Sequence, residues 1–268
     1  MTSTRDPIGV FDSGIGGLTV VRELVHQLPH ERIIYFGDTA RVPYGPKSPD
    51  TVRRYSHEIA SWLMAQRVKT IVVACNTATA HALDMLQREF PVPVIGVVQP
   101  GARAAVKATR THRIGVIGTV GTVASGAYER AIHDIARDAA VVAQACPLFV
   151  PLVEEGWLDS EATRIIAREY LRPFVSDHID TLVLGCTHYP LLKPLLAEVV
   201  GKEVRLIDSA EETAAETRRV LEAERLVAPR DNAGSHRFVA SDAPDHFLRQ
   251  GQRFLGATID EVAKVTLG

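Results

Sequence analysis

The chain has 268 residues, of which 46% are apolar and 23% charged, and a formal charge of −2 at pH 7. This is the composition of a soluble globular protein with enough apolar residues for a real core, in one large or two medium domains. The near-neutral balance gives no long-range attraction to nucleic acid or an anionic membrane, so neither is expected as a partner. The polar start Met1–Pro7 runs directly into an apolar strand, which argues against a signal peptide. No apolar run approaches the ~20 residues needed to cross a bilayer. Cys75, Cys146 and Cys186 are too few and too far apart for a disulfide framework, so a reduced, cytoplasmic protein is expected.

Short apolar runs alternate with stretches of helical period. In chain order, the strand Ile8–Asp12 leads to the helix Gly17–Leu28, Ile33–Gly37 to Asp50–Arg67, and Thr70–Cys75 to Thr77–Glu89. Val92–Val97 leads to Pro100–Thr109, and Ile114–Gly118 to Thr122–Ala136. The strand Val141–Cys146 precedes the helix Ser160–Ser176, and Thr181–Cys186 precedes Pro190–Val200. Val204–Asp208 is followed by Ala210–Ala223, and Arg237–Ser241 by Ala243–Gln250. Such alternation predicts parallel sheets with helices on both faces, and strands without polar alternation fit sheets buried on both sides.

The order repeats. Ile8-Gly9-Val10 is echoed by Ile114-Gly115-Val116, Ile33–Gly37 by Val141–Cys146, Thr70–Cys75 by Thr181–Cys186, and Val92–Val97 by Val204–Asp208, at an offset of about 110 residues. The pattern predicts an α/β fold of two pseudo-symmetric, doubly wound domains, mainly parallel, facing each other across a cleft. Residues 1–97 plus 209–268 would form the first domain and 98–208 the second. Open α/β sheets bind ligands beyond the carboxyl ends of their strands, where Cys75 and Cys186 are expected.

Two equivalent thiols at equivalent strand ends suit a site with one sulfur on each side of a carbon, one removing a proton and the other adding one. Most isolated cysteines are inert small hydrophobes, and Cys146, followed by Pro147, fits that description. Cys75 and Cys186 are each followed by hydroxyl or amide residues and then a helix, whose N-terminus favours a thiolate and offers free N–H groups to a carboxylate.

The loop Asp12-Ser13-Gly14-Ile15-Gly16-Gly17 lacks the third glycine of a dinucleotide fingerprint, Thr19 standing in its place. Asp12 could accept hydrogen bonds from a substrate ammonium, hold a proton beside a thiol, or cap a turn. The glycines would let backbone approach a small ligand. His188 is read as the acid–base partner of a thiol, with a core or capping role as the alternative. A metal site is not expected, because no second close pair completes a tetrahedral set. Arg41–Pro46 forms a shaped loop that would bring Tyr44 and backbone amides over the cleft. Pro147–Glu154 would take its place in the second copy, with Glu154 and Glu155 either there or in a solvated turn.

These residues closely resemble the glutamate racemases, cofactor-independent members of the aspartate/glutamate racemase superfamily. The resemblance is carried by Val10–Thr19, Pro43-Tyr44-Gly45, Ala74–Ala78, Pro147–Gly156 and Leu184–Pro190, spread over almost the whole chain. It implies interconversion of L- and D-glutamate, which supplies D-glutamate for peptidoglycan. It implies Cys75 and Cys186 as the proton donor and acceptor, helped by Asp12 and His188. Asp12, Ser13, Tyr44, Gly45, Asn76, Thr77, Thr187 and His188 carry over as substrate-binding positions. No cofactor is implied, and a homodimer is. Seven residues precede the first strand, so activation through an N-terminal extension is not expected.

Chemistry suggests an arrangement. Asn76, Thr77 and Thr187 would fix the α-carboxylate, Asp12 and Ser13 would lie near the ammonium, and backbone amides and hydroxyls around Gly118–Gly121 and Thr187 would take the side-chain carboxylate. Aspartate racemase is the nearest competing reading. A periplasmic-type binding protein would need an export signal and no paired thiols. A dehydrogenase would need the missing glycine pattern.

Overall fold

The computed structural model describes residues 2–232 and 234–267. The first unit opens with β1 (Ile8–Asp12), α1 (Leu18–Gln27), β2 (Ile33–Gly37), α2 (Pro49–Ala65), β3 (Thr70–Val73), α3 (Asn76–Glu89) and β4 (Val94–Gly96). The second comprises α4 (Val98–Ala108), β5 (Arg113–Gly118), α5 (Val120–Ala124), α6 (Ala127–His133), β6 (Ala140–Ala145), α7 (Phe149–Glu154), α8 (Glu161–Ser176) and β7 (Thr181–Gly185). A 3₁₀ turn (Tyr189–Leu192), α9 (Lys193–Val200) and β8 (Arg205–Asp208) complete it. The chain then adds α10 (Ser209–Ala223), β9 (His236–Ala240), α11 (Pro244–Leu255) and β10 (Val262–Lys264).

The first sheet runs β10-β9-β2-β1-β3-β4 and the second β6-β5-β7-β8, every pair parallel. The repeat read in the sequence is therefore a repeat of register. Ile8 lies opposite Ile33 and Thr70, just as Ile114 lies opposite Val141 and Thr181. The two-sheet α/β architecture is as expected. Both central strands are apolar or glycine over their buried length up to the carboxyl end, where β1 closes on the buried Asp12, as a sheet covered on both faces requires. A continuous buried cluster joins the inner faces of the two sheets, from Val10, Tyr35 and Val72 to Ile117, Leu182 and Leu184. Separate clusters fill the outer faces. No helix among the described residues is long and apolar enough to cross a membrane.

Three local expectations are corrected. The helix expected over Thr122–Ala136 is two, α5 and α6, because Gly126 takes φ +62° between them. The loop expected over Pro147–Glu154 contains α7. The helix expected to stop at Gln250 continues to Leu255, since Gly251 lets α11 close on the core instead of ending it. A Cβ on Gly251 would lie 2.9 Å from Leu18 Cδ1. The short β10, not anticipated, pairs with the outer edge of β9.

A buried ion pair fixes the end of the first sheet opposite the strand carboxyl ends. Lys69, just before β3, lies 2.5 Å from Glu31 Oε2 and donates to the carbonyls of Thr4 and Leu226. Glu31 Oε1 accepts from the Ala228 amide. Removing one partner leaves a buried charge unpaired. Lys69→Met is expected to lower stability by ~3–5 kcal/mol, seen as a lower urea midpoint at unchanged slope.

Candidate active site

The two matching strands β3 and β7 end within a few residues of their cysteines. Cys75 caps α3, its Sγ accepting from the Ala78 amide at 3.4 Å, and lies 3.8 Å from Ser13 Oγ. Cys186 lies 3.9 Å from His188 Nδ1. The helix expected directly after Cys186 begins as a 3₁₀ turn at Tyr189 and becomes α-helical at Lys193. Both thiols are 5% exposed and line one cavity.

Ser13, Tyr44, Gly45, Asn76, Thr77, Thr187 and His188 line the same cavity, joined by Val42, Pro43, Thr119 and Val150. The cavity is small, about 30 Å³, space for one or two waters and too little for a glutamate. The structure is thus a closed form. Asp12, expected in the lining, sits behind it, fully buried. Its Oδ2 accepts from the Gly14 amide at 3.1 Å, and Thr187 Oγ1 lies 3.5 Å from Oδ1.

Two features differ from the sequence reading. The Tyr44 hydroxyl is turned away to Asp38, which also holds Arg41 and Ser241, so Tyr44 is held by a buried polar network. Gly16 approaches protein instead of ligand. A Cβ there would lie 2.3 Å from Thr187 Oγ1 and 2.5 Å from His188 Nδ1, so only glycine lets the first loop close on the second unit.

Around Gly118–Gly121 the expected free amides are not all free. The Gly121 amide donates to the Gly45 carbonyl at 2.9 Å, across the cleft. Hydroxyls gather there as well, with Thr77 Oγ1 2.8 Å from Thr119 Oγ1 and 3.2 Å from Thr122 Oγ1. Thr119 lies within the stretch whose hydroxyls were expected there, whereas Thr122, just beyond it, was not singled out. Asn76 Oδ1 accepts from the Tyr128 hydroxyl at 2.7 Å, while its buried Nδ2 has no partner among the described residues. It is a donor left over beside Cys75.

The two halves differ electrostatically. Burial, reinforced by the Asp12 charge, pushes the Cys75 thiol up to about 12. Helix capping works against burial here and loses. Asp12 is itself raised by burial, opposed by His188 and by the amides of Gly17, Gly14 and Ser13. On the other side, burial would push His188 down, but its hydrogen bonds and charges with Cys186 and Glu154 prevail and raise it to about 10. His188 Nε2 lies 3.0 Å from Glu154 Oε1. An imidazolium so placed stabilises negative charge on the Cys186 sulfur.

Glu154 was left undecided by the sequence. Its place at the end of α7 resolves it, because only the fold brings it to His188, 34 positions away. Glu154→Gln keeps the shape but loses the charge. It is expected to lower kcat about tenfold, the worth of a charge-assisted hydrogen bond. An unchanged kcat would reduce the pair to a surface contact.

The Asp/Glu/Hydantoin racemase family profile matches residues 8–217. The glutamate racemase of Geobacter metallireducens is 55% identical over 97% of this chain and 96% of its own. Among solved structures, glutamate racemase isoform RacE1 of Bacillus anthracis superposes with a TM-score of 0.95 at 43% identity, covering 98% of each chain. The glutamate racemase of Francisella tularensis, solved in complex with D-glutamate, gives 0.93 at 38% identity over 98% of each chain. The chain belongs to the Asp/Glu/hydantoin racemase family and, within it, to the glutamate racemases.

Proposed function

We propose that the chain racemises glutamate without a cofactor, by proton transfer between two thiols on opposite faces of the α-carbon. The observation that carries this reading is the pair of cysteines, at matching strand ends, lining one closed cavity. For the enantiomer whose α-hydrogen faces Cys186, the thiolate takes the proton and the C–H electron pair enters a carbanion delocalised over the α-carboxylate. The Cys75 thiol gives its proton to the opposite face and becomes a thiolate. The other enantiomer runs the same steps in reverse. Asn76 Nδ2, unpartnered beside Cys75, and the Thr77 and Thr187 hydroxyls are the donors for the developing charge. Asp12 reinforces burial in raising the Cys75 thiol, and the His188 imidazolium sits beside the Cys186 sulfur. Ser13, Tyr44 and Gly45 shape the wall that receives the substrate.

The two sheets correspond to domains 1–97 plus 209–268 and 98–208, which part to admit substrate and close to exclude water. Supply of D-glutamate for peptidoglycan, and through it cell-wall biogenesis and cell shape, and a homodimer rest on the family resemblance, and a cytoplasmic site of action rests on the sparse, unpaired cysteines. Circular dichroism of L-glutamate incubated with the protein alone tests the reaction. The signal should decay to zero, and a constant signal would contradict the reading.

Glutamate is favoured over aspartate because both carboxylates must be anchored with the α-carbon between the sulfurs. A chain one methylene shorter would displace that carbon by about 1 Å, worth roughly 10²-fold in rate. Comparing kcat/KM for glutamate and aspartate checks this. Equal values would overturn the substrate assignment and leave the two-thiol chemistry standing.

A further inference from the structure

The Cys186 half of the site is built from the second unit, but part of its wall belongs to the first. The Phe254 ring, fully buried on α11, meets the His188 ring in a T-shaped contact with centroids 5.2 Å apart. Gly16, also from the first unit, backs His188 Nδ1. The neighbouring Arg253 guanidinium packs on Gly156, just after α7, where a Cβ would lie 2.9 Å from Nη1. It also points at the Val153 and Glu154 carbonyls, at 3.4 and 3.5 Å. These are carbonyls at the C-terminal end of α7, where positive charge is favourable. The helix that carries both residues is anchored on its own sheet, with Phe247 against Tyr35 and Gly251 against Leu18.

We propose that α11 is a positioning element for the Cys186 half of the reaction. Phe254 fixes the plane of the His188 ring, and Arg253 holds the end of α7 that presents Glu154. The chain Glu154–His188–Cys186 is then complete only when the two units are closed. Opening for substrate withdraws Phe254 and Gly16 together, and water reaches His188. Closure does more than seal the cavity: it assembles the charge that supports the Cys186 thiolate. The inference rests on the two-thiol reading and adds a task for residues that touch no substrate.

The test must tell a positioning role from a general loss of structure. Enantiomers are equal in energy, so kcat/KM is the same in both directions for any variant. The side of a defect shows instead in the primary isotope effect with α-²H-glutamate in ordinary water. If the Cys186 step alone is slowed, abstraction becomes more rate-limiting for the enantiomer facing Cys186, and its isotope effect rises. For the other enantiomer the slowed step follows abstraction, and its isotope effect falls.

Phe254→Leu, which keeps an apolar side chain but removes the ring, is expected to lower kcat/KM about tenfold, with the two isotope effects moving in opposite directions. Arg253→Gln, at an exposed position, is expected to cost about threefold with the same pattern, and Arg253→Lys to recover most of it. Isotope effects that stay put, or that move together, in Phe254→Leu would overturn the proposal. If that variant does not fold, Arg253→Gln decides by the same criterion. Racemisation surviving in Cys186→Ala would instead defeat the two-thiol reading itself.

Discussion

Alanine at either Cys75 or Cys186 is expected to abolish racemisation, a loss of ~10⁴-fold or more, at the upper end of what a positioned acid or base contributes. Each thiol has one face of the α-carbon to itself, and no other titratable side chain lining the cavity besides His188 and Tyr44 could replace it. His188 is engaged by Cys186 and Glu154, and the Tyr44 hydroxyl by Asp38. Cys146→Ala is expected to retain most activity. That thiol is fully buried, 3.6 Å from the Gln144 carbonyl, and does not line the cavity. Initial rates by circular dichroism, from both enantiomers, check all three. Near-normal racemisation in either of the first two variants would sink the two-thiol assignment.

His188→Asn and Asp12→Asn are expected to lower kcat roughly 10²-fold each, with the fold retained. The reason is charge. Asparagine at 188 removes the cation beside Cys186, and at 12 it removes the anion whose field keeps Cys75 protonated. The two defects fall on opposite sides, so the α-²H isotope effects of the two variants should shift in opposite senses for a given enantiomer. The parent should also lose activity as pH rises through about 10, where His188 gives up its proton. Below that pH the imidazolium is present, so the decline is a basic limb, and His188→Asn should lack it. Wild-type rates in both variants would make these residues structural caps.

Much of this was legible in the chain. Each strand expected from an apolar run formed, and the central ones read most clearly because burial on both faces leaves little room for polar residues. Several were expected one or two residues too long at the carboxyl end. Thr70–Cys75 stops at Val73, and Cys75 leaves the sheet to cap α3. That departure is what turns its sulfur to the cleft. The site residues flanking the cysteines were legible because they are sequence neighbours of a strand end. Glu154 and Phe254 were not, since their meaning depends on contacts with His188, which is 34 positions away from Glu154 and in the other unit from Phe254. In an expected loop, Glu154 could equally face the cleft or a solvated turn until α7, which it ends, is seen against His188. Phe254 lay beyond the expected end of its helix, which continues through Gly251 because that glycine serves close packing on Leu18. Asp12 was placed in the lining for its chemistry, but its carboxylate is turned to the Gly14 amide and Thr187 and is fully buried behind the wall.

The most direct test of the account is the fate of the α-hydrogen when L-glutamate is racemised in ²H₂O. At early times the D-glutamate formed should carry deuterium at the α-carbon in essentially every molecule, while the remaining L-glutamate keeps its protium. One sulfur takes the substrate's proton and a different one, equilibrated with solvent, supplies the product's. Mass spectrometry of the separated enantiomers reads this out. D-glutamate that retains the original protium would mean that a single group carries the proton from one face to the other, and would contradict the account.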